Sequence, residues 1–182
     1  MSVIEQKTKK NKAGRDIIIR TAILKDARDI IKINKEIVQE GKYMLHEPDE
    51  YKPTMLKEKT QIRNLRNTNG SIYLIAEINK KITGYLTFKK GGVRRTSHLG
   101  YISIFIKRKY REKGIGRLLM EELTEWAKQN PEIEKLSLLV FANNKRAIEL
   151  YKKTGFKTEG ILRKDMKIDG NYIDSILMYK FV

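Results

Sequence analysis

Cysteine is absent from the 182 residues, and only two histidines occur, His46 and His98. The first absence excludes disulfides, thiolate metal sites and a cysteine nucleophile. The second excludes a histidine-rich metal cage, so no metal cofactor is expected. No apolar run approaches the roughly 18 to 20 residues of a membrane-spanning helix, and the opening "MSVIEQKTKKNKAG" has no apolar targeting core. A soluble, cytoplasmic protein without a membrane partner is therefore expected. Acidic residues are also scarce, 22 against 39 lysines and arginines, for a formal net charge of +17. Such a field attracts anions, whether nucleic acid, an acidic protein or a phosphate-bearing ligand. The basic residues are dispersed along the chain, however, as a general compositional bias would leave them.

The chain is long enough for one domain with a substantial core. Residues 1–14 are polar and basic and read as a flexible arm, leaving 15–182 as a single domain. "RDIIIRTA" reads as a strand, followed by a helix over about 26–40 with Ala27, Ile30, Ile31, Ile37 and Val38 along one face. The segment "KYMLHEPDEYKPTM" holds two prolines and reads as a loop before a polar helix at about 55–68. "SIYLIAEI" and "ITGYLTF" predict a hairpin, and "SHLGYISIFI" a third antiparallel strand. A helix, the strand "KLSLLVF", a helix over 144–154 and two closing strands joined near "DG" complete the order. The pattern is an α+β fold: a mixed, mostly antiparallel sheet of about seven strands flanked by about four helices.

The stretch "YREKGIGRLLMEELTEWAKQN" carries the strongest local signal. Apolar residues at 115, 118, 119, 123, 126 and 127 mark one helix face. A helix ordinarily satisfies its first amides with a Ser, Thr, Asp or Asn cap, yet none occurs between Lys107 and Gly116. Gly114 and Gly116 permit a tight turn and close approach of an anion to the backbone, and Arg111, Lys113 and Arg117 add charge. The same glycines could instead serve close packing of strand and helix. Neither a dinucleotide-binding GxGxxG after an early strand nor a P-loop is present.

"YREKGIGRLLM" resembles the Arg/Gln-x-x-Gly-x-Gly/Ala signature of the GNAT N-acetyltransferase superfamily, and "NKRAIELYKKTGF" is similar to its later Asn-x-x-Ala-x-x-x-Tyr-x-x-x-Gly-Phe segment. The likeness spans about residues 16–180, and the ending resembles the subgroup of ribosomal-protein N-terminal, polyamine and phosphinothricin-type acetyltransferases. What the resemblance implies is an acetyl-CoA site. The pyrophosphate would lie on the amides of Glu112, Lys113, Gly114, Ile115, Gly116 and Arg117 after Arg111. The pantetheine arm would pair with Ile104, Phe105 and Ile106, and Asn144 and Tyr151 match the motif's asparagine and tyrosine. Asn144 also suits a plain helix cap, and Tyr151 shares a helix face with Ala147 and Ile148, so burial is expected of it either way.

The implied reaction is direct transfer of an acetyl group to a primary amine of a small molecule or protein in a ternary complex. Tyr151 would serve the departing sulfur and the strand amides would polarise the thioester carbonyl. For the base, His98 begins the third antiparallel strand with an unperturbed pKa near 6.5. Glu47 lies in the proline-containing loop, and water is a third option, with Glu40 and Asp174 behind these. Tyr101 stands where phosphinothricin-type enzymes carry a glutamate. The competing function is a basic nucleic-acid- or ribosome-binding protein with a non-catalytic acyl-CoA fold, though no RNA-binding motif accompanies it. A homodimer through the last strands is compatible with the sequence.

Overall fold

The computed structural model describes residues 2–11 and 13–182. Its strands are β1 (Lys7–Lys10), β2 (Asp16–Thr21), β3 (Ile72–Ile78), β4 (Lys81–Lys90), β5 (Leu99–Ile106), β6 (Lys135–Phe141), β7 (Lys157–Ile168) and β8 (Asn171–Phe181). The long helices are α1 (Ala27–Val38), α2 (Met55–Asn67), α3 (Ile115–Lys128) and α4 (Lys145–Lys153). One open sheet runs β1-β2-β3-β4-β5-β6-β8-β7, antiparallel at every pairing except β5 with β6. Among the described residues no helix is long and apolar enough to cross a membrane.

Two turns show why the antiparallel pairs form where they do. Asn79 and Lys80 join β3 to β4, and Asp169 and Gly170 join β7 to β8, all with positive φ. Such two-residue turns match the right-handed twist of the flanking strands.

The sheet buries both faces. On one, α3 lays Leu119, Met120, Leu123, Trp126 and Ala127 against Leu74, Leu86, Phe88 and Leu138. On the other, α1 and α2 contribute Ile30, Ile33, Ile37, Ile62 and Leu65 against Tyr73, Ile75 and Tyr85. At about 25 cal/mol per Å² of apolar area, each such aliphatic side chain contributes roughly 1.5–3 kcal/mol on burial.

The expected flexible arm is corrected over residues 7–10, which form β1, one strand more than the seven expected. Lys7 and Lys9, on the same side of β1, reach Glu122 of α3 at 2.7 and 3.0 Å, a carboxylate whose side chain is almost fully buried. Ser2 Oγ donates to Thr68 O at 2.7 Å, and Ile4 N to Thr21 Oγ1 at 2.9 Å. Basic composition read as solvated tail is here the counter-charge for an acid far along the chain, and lysines on an edge strand also discourage edge-to-edge pairing. Residues 1 and 12 of the expected arm lie outside the described residues.

Between the sheet and α1/α2 sits a polar group that makes stability depend on pH. Glu58, 7% exposed, accepts a hydrogen bond from Tyr73 Oη at 3.0 Å. Burial raises the Glu58 pKa, only partly opposed by that bond. A raised carboxyl pKa favours the protonated native form, so this contribution is fully present below the unfolded-state value of about 4.3 and is lost as pH rises through the folded-state value. Glu58→Gln is expected to melt above wild type near pH 7, with the gap shrinking towards pH 4. Thermal melts across that range check it, and a gap that widens on acidification contradicts it.

Candidate active site

β5 and β6 pair only at Leu99–Lys135, Gly100–Leu136 and Tyr101–Ser137. Beyond Tyr101 and Ser137 their ladder ends, while β5 continues to Ile106 along β4 and β6 continues to Phe141 along β8. A parallel pair that parts in mid-strand leaves unsatisfied backbone groups on its inner edges. Here they face a cleft of about 890 Å³ lined by Ile102 to Ile106, Leu139 to Phe141, Gly114, Gly116 and the inner face of α4.

The glycine turn closes one end. Gly114 is the N-cap of α3 with φ +82°, and no side chain caps the helix. An L-residue is strained at that φ, and the first amides of the helix have no side-chain partner, the arrangement in which the helix dipole favours an anion. A Cβ on Gly116 would lie 2.9 Å from Leu150 Cδ2 and 3.1 Å from Ile106 Cδ1. The glycines divide the work: Gly114 makes the turn, and Gly116 lets α3, α4 and β5 meet.

Arg111 lines the cleft, but its guanidinium is committed. It donates from Nε to Ile106 O at 2.9 Å and pairs with both carboxylate oxygens of Glu40 at 2.5 and 2.7 Å. Its role is to tie the turn to the end of α1, and its charge is offset locally. Arg117 and Arg146 also line the cleft. Lys113 stands outside the lining over the Tyr110 ring, and Ile115 is buried in the core, so only its backbone is available to the turn.

Asn144 accepts from Ala147 N at 3.3 Å, the cap foreseen for it, while still lining the cleft. Tyr151 on α4 is 7% exposed, packs against Phe156 at 6.2 Å between centroids, and lines the cleft. Burial pushes its phenol well above the ordinary tyrosine range. The group is therefore neutral at physiological pH and available as a proton donor.

Two base candidates are not in the cleft. His98 sits before β5 at its paired end, where its carbonyl accepts from Glu134 N at 2.8 Å and Lys135 N at 3.1 Å. Ile104 is six residues further, about 20 Å along a strand. His98 thus stands at the closed end of the strand pair and is not among the residues lining the cleft. Glu47 is exposed in a turn, where its own N–H donates to Glu50 Oε2 at 3.0 Å, and it does not reach the lining, although its loop neighbours Lys42, Tyr43 and Leu45 do. Asp174 is occupied by Lys164 N at 2.9 Å and Arg163 at 2.6 Å, and these hold its carboxyl below the usual range. Among the described lining residues the carboxylates are Glu40, Glu112 and Glu149, and each faces a cation: Arg111, Arg146 at 3.9 Å and Lys153 at 3.6 Å. Among the described residues no cluster of His, Asp and Glu is arranged to hold a metal ion.

Sequence reasoning missed the other end of the cleft. Tyr43 from the loop after α1 meets Phe141 of β6, their centroids 6.3 Å apart, and Leu45, Leu139, Met166 and Ser175 line the same cleft. The only available signal was an aromatic and a leucine in a proline-containing loop, without period.

Residues 36–156 match the acetyltransferase (GNAT) family. The chain is 31% identical over 114 residues to the L-amino acid N-acetyltransferase AaaT of Escherichia coli, covering 63% of this chain and 70% of that one. It is 30% identical over 160 residues to an N-alpha-acetyltransferase of Sulfurisphaera tokodaii, covering 84% and 87%. The crystal structure of a GNAT-family acetyltransferase from Streptococcus pneumoniae superposes with a TM-score of 0.87 at 30% identity, covering 91% of this chain and 99% of that one. The splayed parallel pair, the uncapped glycine turn and these likenesses agree: the chain is an enzyme of the acetyltransferase (GNAT) family.

Proposed function

We propose that this enzyme transfers the acetyl group of acetyl-CoA to the α-amino group of an acceptor carrying an apolar side chain, by direct attack in a ternary complex. The observation that carries this reading is the composition of the cleft's two ends. One offers an uncapped helix N-terminus with Arg117 and Arg146 for a pyrophosphate, and the other an apolar chamber of Tyr43, Leu45, Leu139, Phe141 and Met166. Acetyl-CoA supplies the thioester. The chain's own groups do the rest: the open edge of β5 aligns the pantetheine arm and polarises the carbonyl, and as the C–N bond forms and the C–S bond breaks neutral Tyr151 donates a proton to the departing sulfur and regains one from the acylated nitrogen through water.

The absence of an unpaired carboxylate or imidazole among the described lining residues bears on the acceptor. At pH 7 the α-amine of a peptide N-terminus, of pKa about 8, is neutral in roughly one molecule in ten, against about one in 2,500 for a lysine side chain of pKa about 10.4. A site without a dedicated base favours the former by about 10²-fold. Among the described lining residues none of Glu47, Asp49 and Glu50 occurs, which weighs against a polycationic acceptor. The relatives named an L-amino acid N-acetyltransferase and an N-alpha-acetyltransferase point the same way.

CoA release across a panel of amines tests the reading. Peptides beginning with an apolar residue are expected to show kcat/KM at least about 10²-fold above spermidine or a lysine side chain at pH 7, and apolar L-amino acids, whose carboxylate makes the α-amine more basic, a smaller advantage in the same direction. The rate should rise with pH along the acceptor's own ionisation, unchanged in His98→Ala and Glu47→Gln. Preference for spermidine, or loss of the alkaline limb in either variant, defeats the proposal.

A further inference from the structure

We infer that Ser175 selects the acceptor, its hydroxyl donating a hydrogen bond to an oxygen carried on the carbon next to the reacting α-amine. The inference rests on the α-amine reading above.

Ser175 lies on β8, opposite Phe141 of β6 on one side and Leu162 of β7 on the other. It is 0% exposed, it lines the cleft, and its hydroxyl has no hydrogen-bond partner among the described residues. Buried hydroxyls are ordinarily bonded, and one left over calls for a partner from outside the chain. A serine inside a helix can donate to the carbonyl four residues back; within a sheet paired on both sides that route is lacking.

Strand alternation fixes the direction of the group. Met178 is buried in the core beneath α3 and α4, and Ile176 packs against that core. Odd-numbered Ser175 therefore faces the opposite side, as do Leu139 and Phe141 on the neighbouring strand, where Leu138 and Val140 belong to the same core. That side forms the floor of the apolar chamber, and Ser175 supplies the only hydroxyl that β6 and β8 contribute to the lining.

An amine attacking at β5 and Tyr151 must direct its substituents away from them, over β6 and β8. The apolar side chain then meets Leu139, Phe141 and Tyr43, and a second substituent reaches Ser175. A hydroxyl donor there complements an oxygen, and Lys42 on the facing loop lines the same cleft with positive charge. A free amino acid and a peptide N-terminus both present an oxygen at that position, as carboxylate or carbonyl. A polyamine or a lysine side chain does not.

Steady-state kinetics on wild type and Ser175→Ala, with phenylalanine, a peptide beginning with phenylalanine, and 2-phenylethylamine, test the inference. Expected is a loss of about tenfold in kcat/KM, carried by the acceptor KM, for whichever of the first two turns over, which also identifies the source of the oxygen. For 2-phenylethylamine the ratio of variant to wild type should stay within about twofold, as should the acetyl-CoA KM. Ser175→Thr, which keeps the hydroxyl, should recover most of the loss. An equal loss on all acceptors, or none, overturns the role of Ser175. Ser175→Cys, near in size and a weak donor, gives the same split should the alanine variant not fold. If wild type releases no CoA with any α-amine, the functional reading itself fails; if it does and the variants show no split, only this inference fails.

Discussion

Tyr151→Phe is expected to lower kcat by about 10²–10³-fold while leaving acetyl-CoA affinity within about twofold, the magnitude ordinarily lost with a positioned general acid. The ring packs against Phe156 and closes the end of the core beneath α4, so phenylalanine preserves shape and burial. Only the hydroxyl is lost, and that hydroxyl is held protonated by the surroundings that bury it. A free thiol ionises near pH 8.5, so thiolate departure without a donor remains possible but slower, which is why the variant should be crippled rather than dead. The loss should shrink with a thioester whose thiol is more acidic, because a better leaving group needs less protonation. Stopped-flow measurement of CoA release and calorimetry of acetyl-CoA binding separate the two parameters. Wild-type turnover by the variant would reduce Tyr151 to a packing residue.

Gly116→Val is expected to weaken acetyl-CoA binding by about 10²-fold or more and to lower stability by about 1–3 kcal/mol, because the residue has two duties. Its amide belongs to the first turn of an uncapped helix, where a branched side chain obstructs the approach of a pyrophosphate. Its α-carbon also faces Leu150 and Ile106 so closely that even one methyl group would sit 2.9 Å and 3.1 Å from their terminal carbons. Those neighbours are flexible ends rather than backbone, so Gly116→Ala should be accommodated with small shifts and an intermediate loss of affinity. Circular dichroism establishes that each variant is folded, and calorimetry then reads the affinity. A folded Gly116→Val protein with unchanged affinity would move the anion seat elsewhere.

Much of the architecture was legible because its signals are local. The 3.6-residue period of 115–127 requires a helix with one apolar face, and α3 buries Leu119, Leu123, Trp126 and Ala127 as that period demands. The uncapped glycine turn, the helix cap at Asn144 and the turns at 79–80 and 169–170 likewise follow from backbone chemistry within a few residues. The pair of motifs around Gly114 and Tyr151 placed the two elements that meet across the cleft, since α3 and α4 each follow one of the strands that part.

Interactions between residues distant in sequence were decided by the tertiary structure alone. Lys7 and Lys9 read as solvated charge until β1 pairs with β2 and brings them to Glu122. His98 immediately precedes the strand that carries Ile104, but only the register of β5 with β6 shows that the histidine lies at the paired end and the isoleucine at the open one. Glu40 was a minor candidate for the base, and the fold instead makes it the partner of Arg111. Ser175 carries no local signal, because a serine in a strand is unremarkable until packing buries it without a partner. Period and capping are set by neighbours along the chain and survive in the sequence. Which charges are neutralised, which hydroxyls are left over and which end of a strand opens are set by pairings across tens of residues, and no single stretch encodes them.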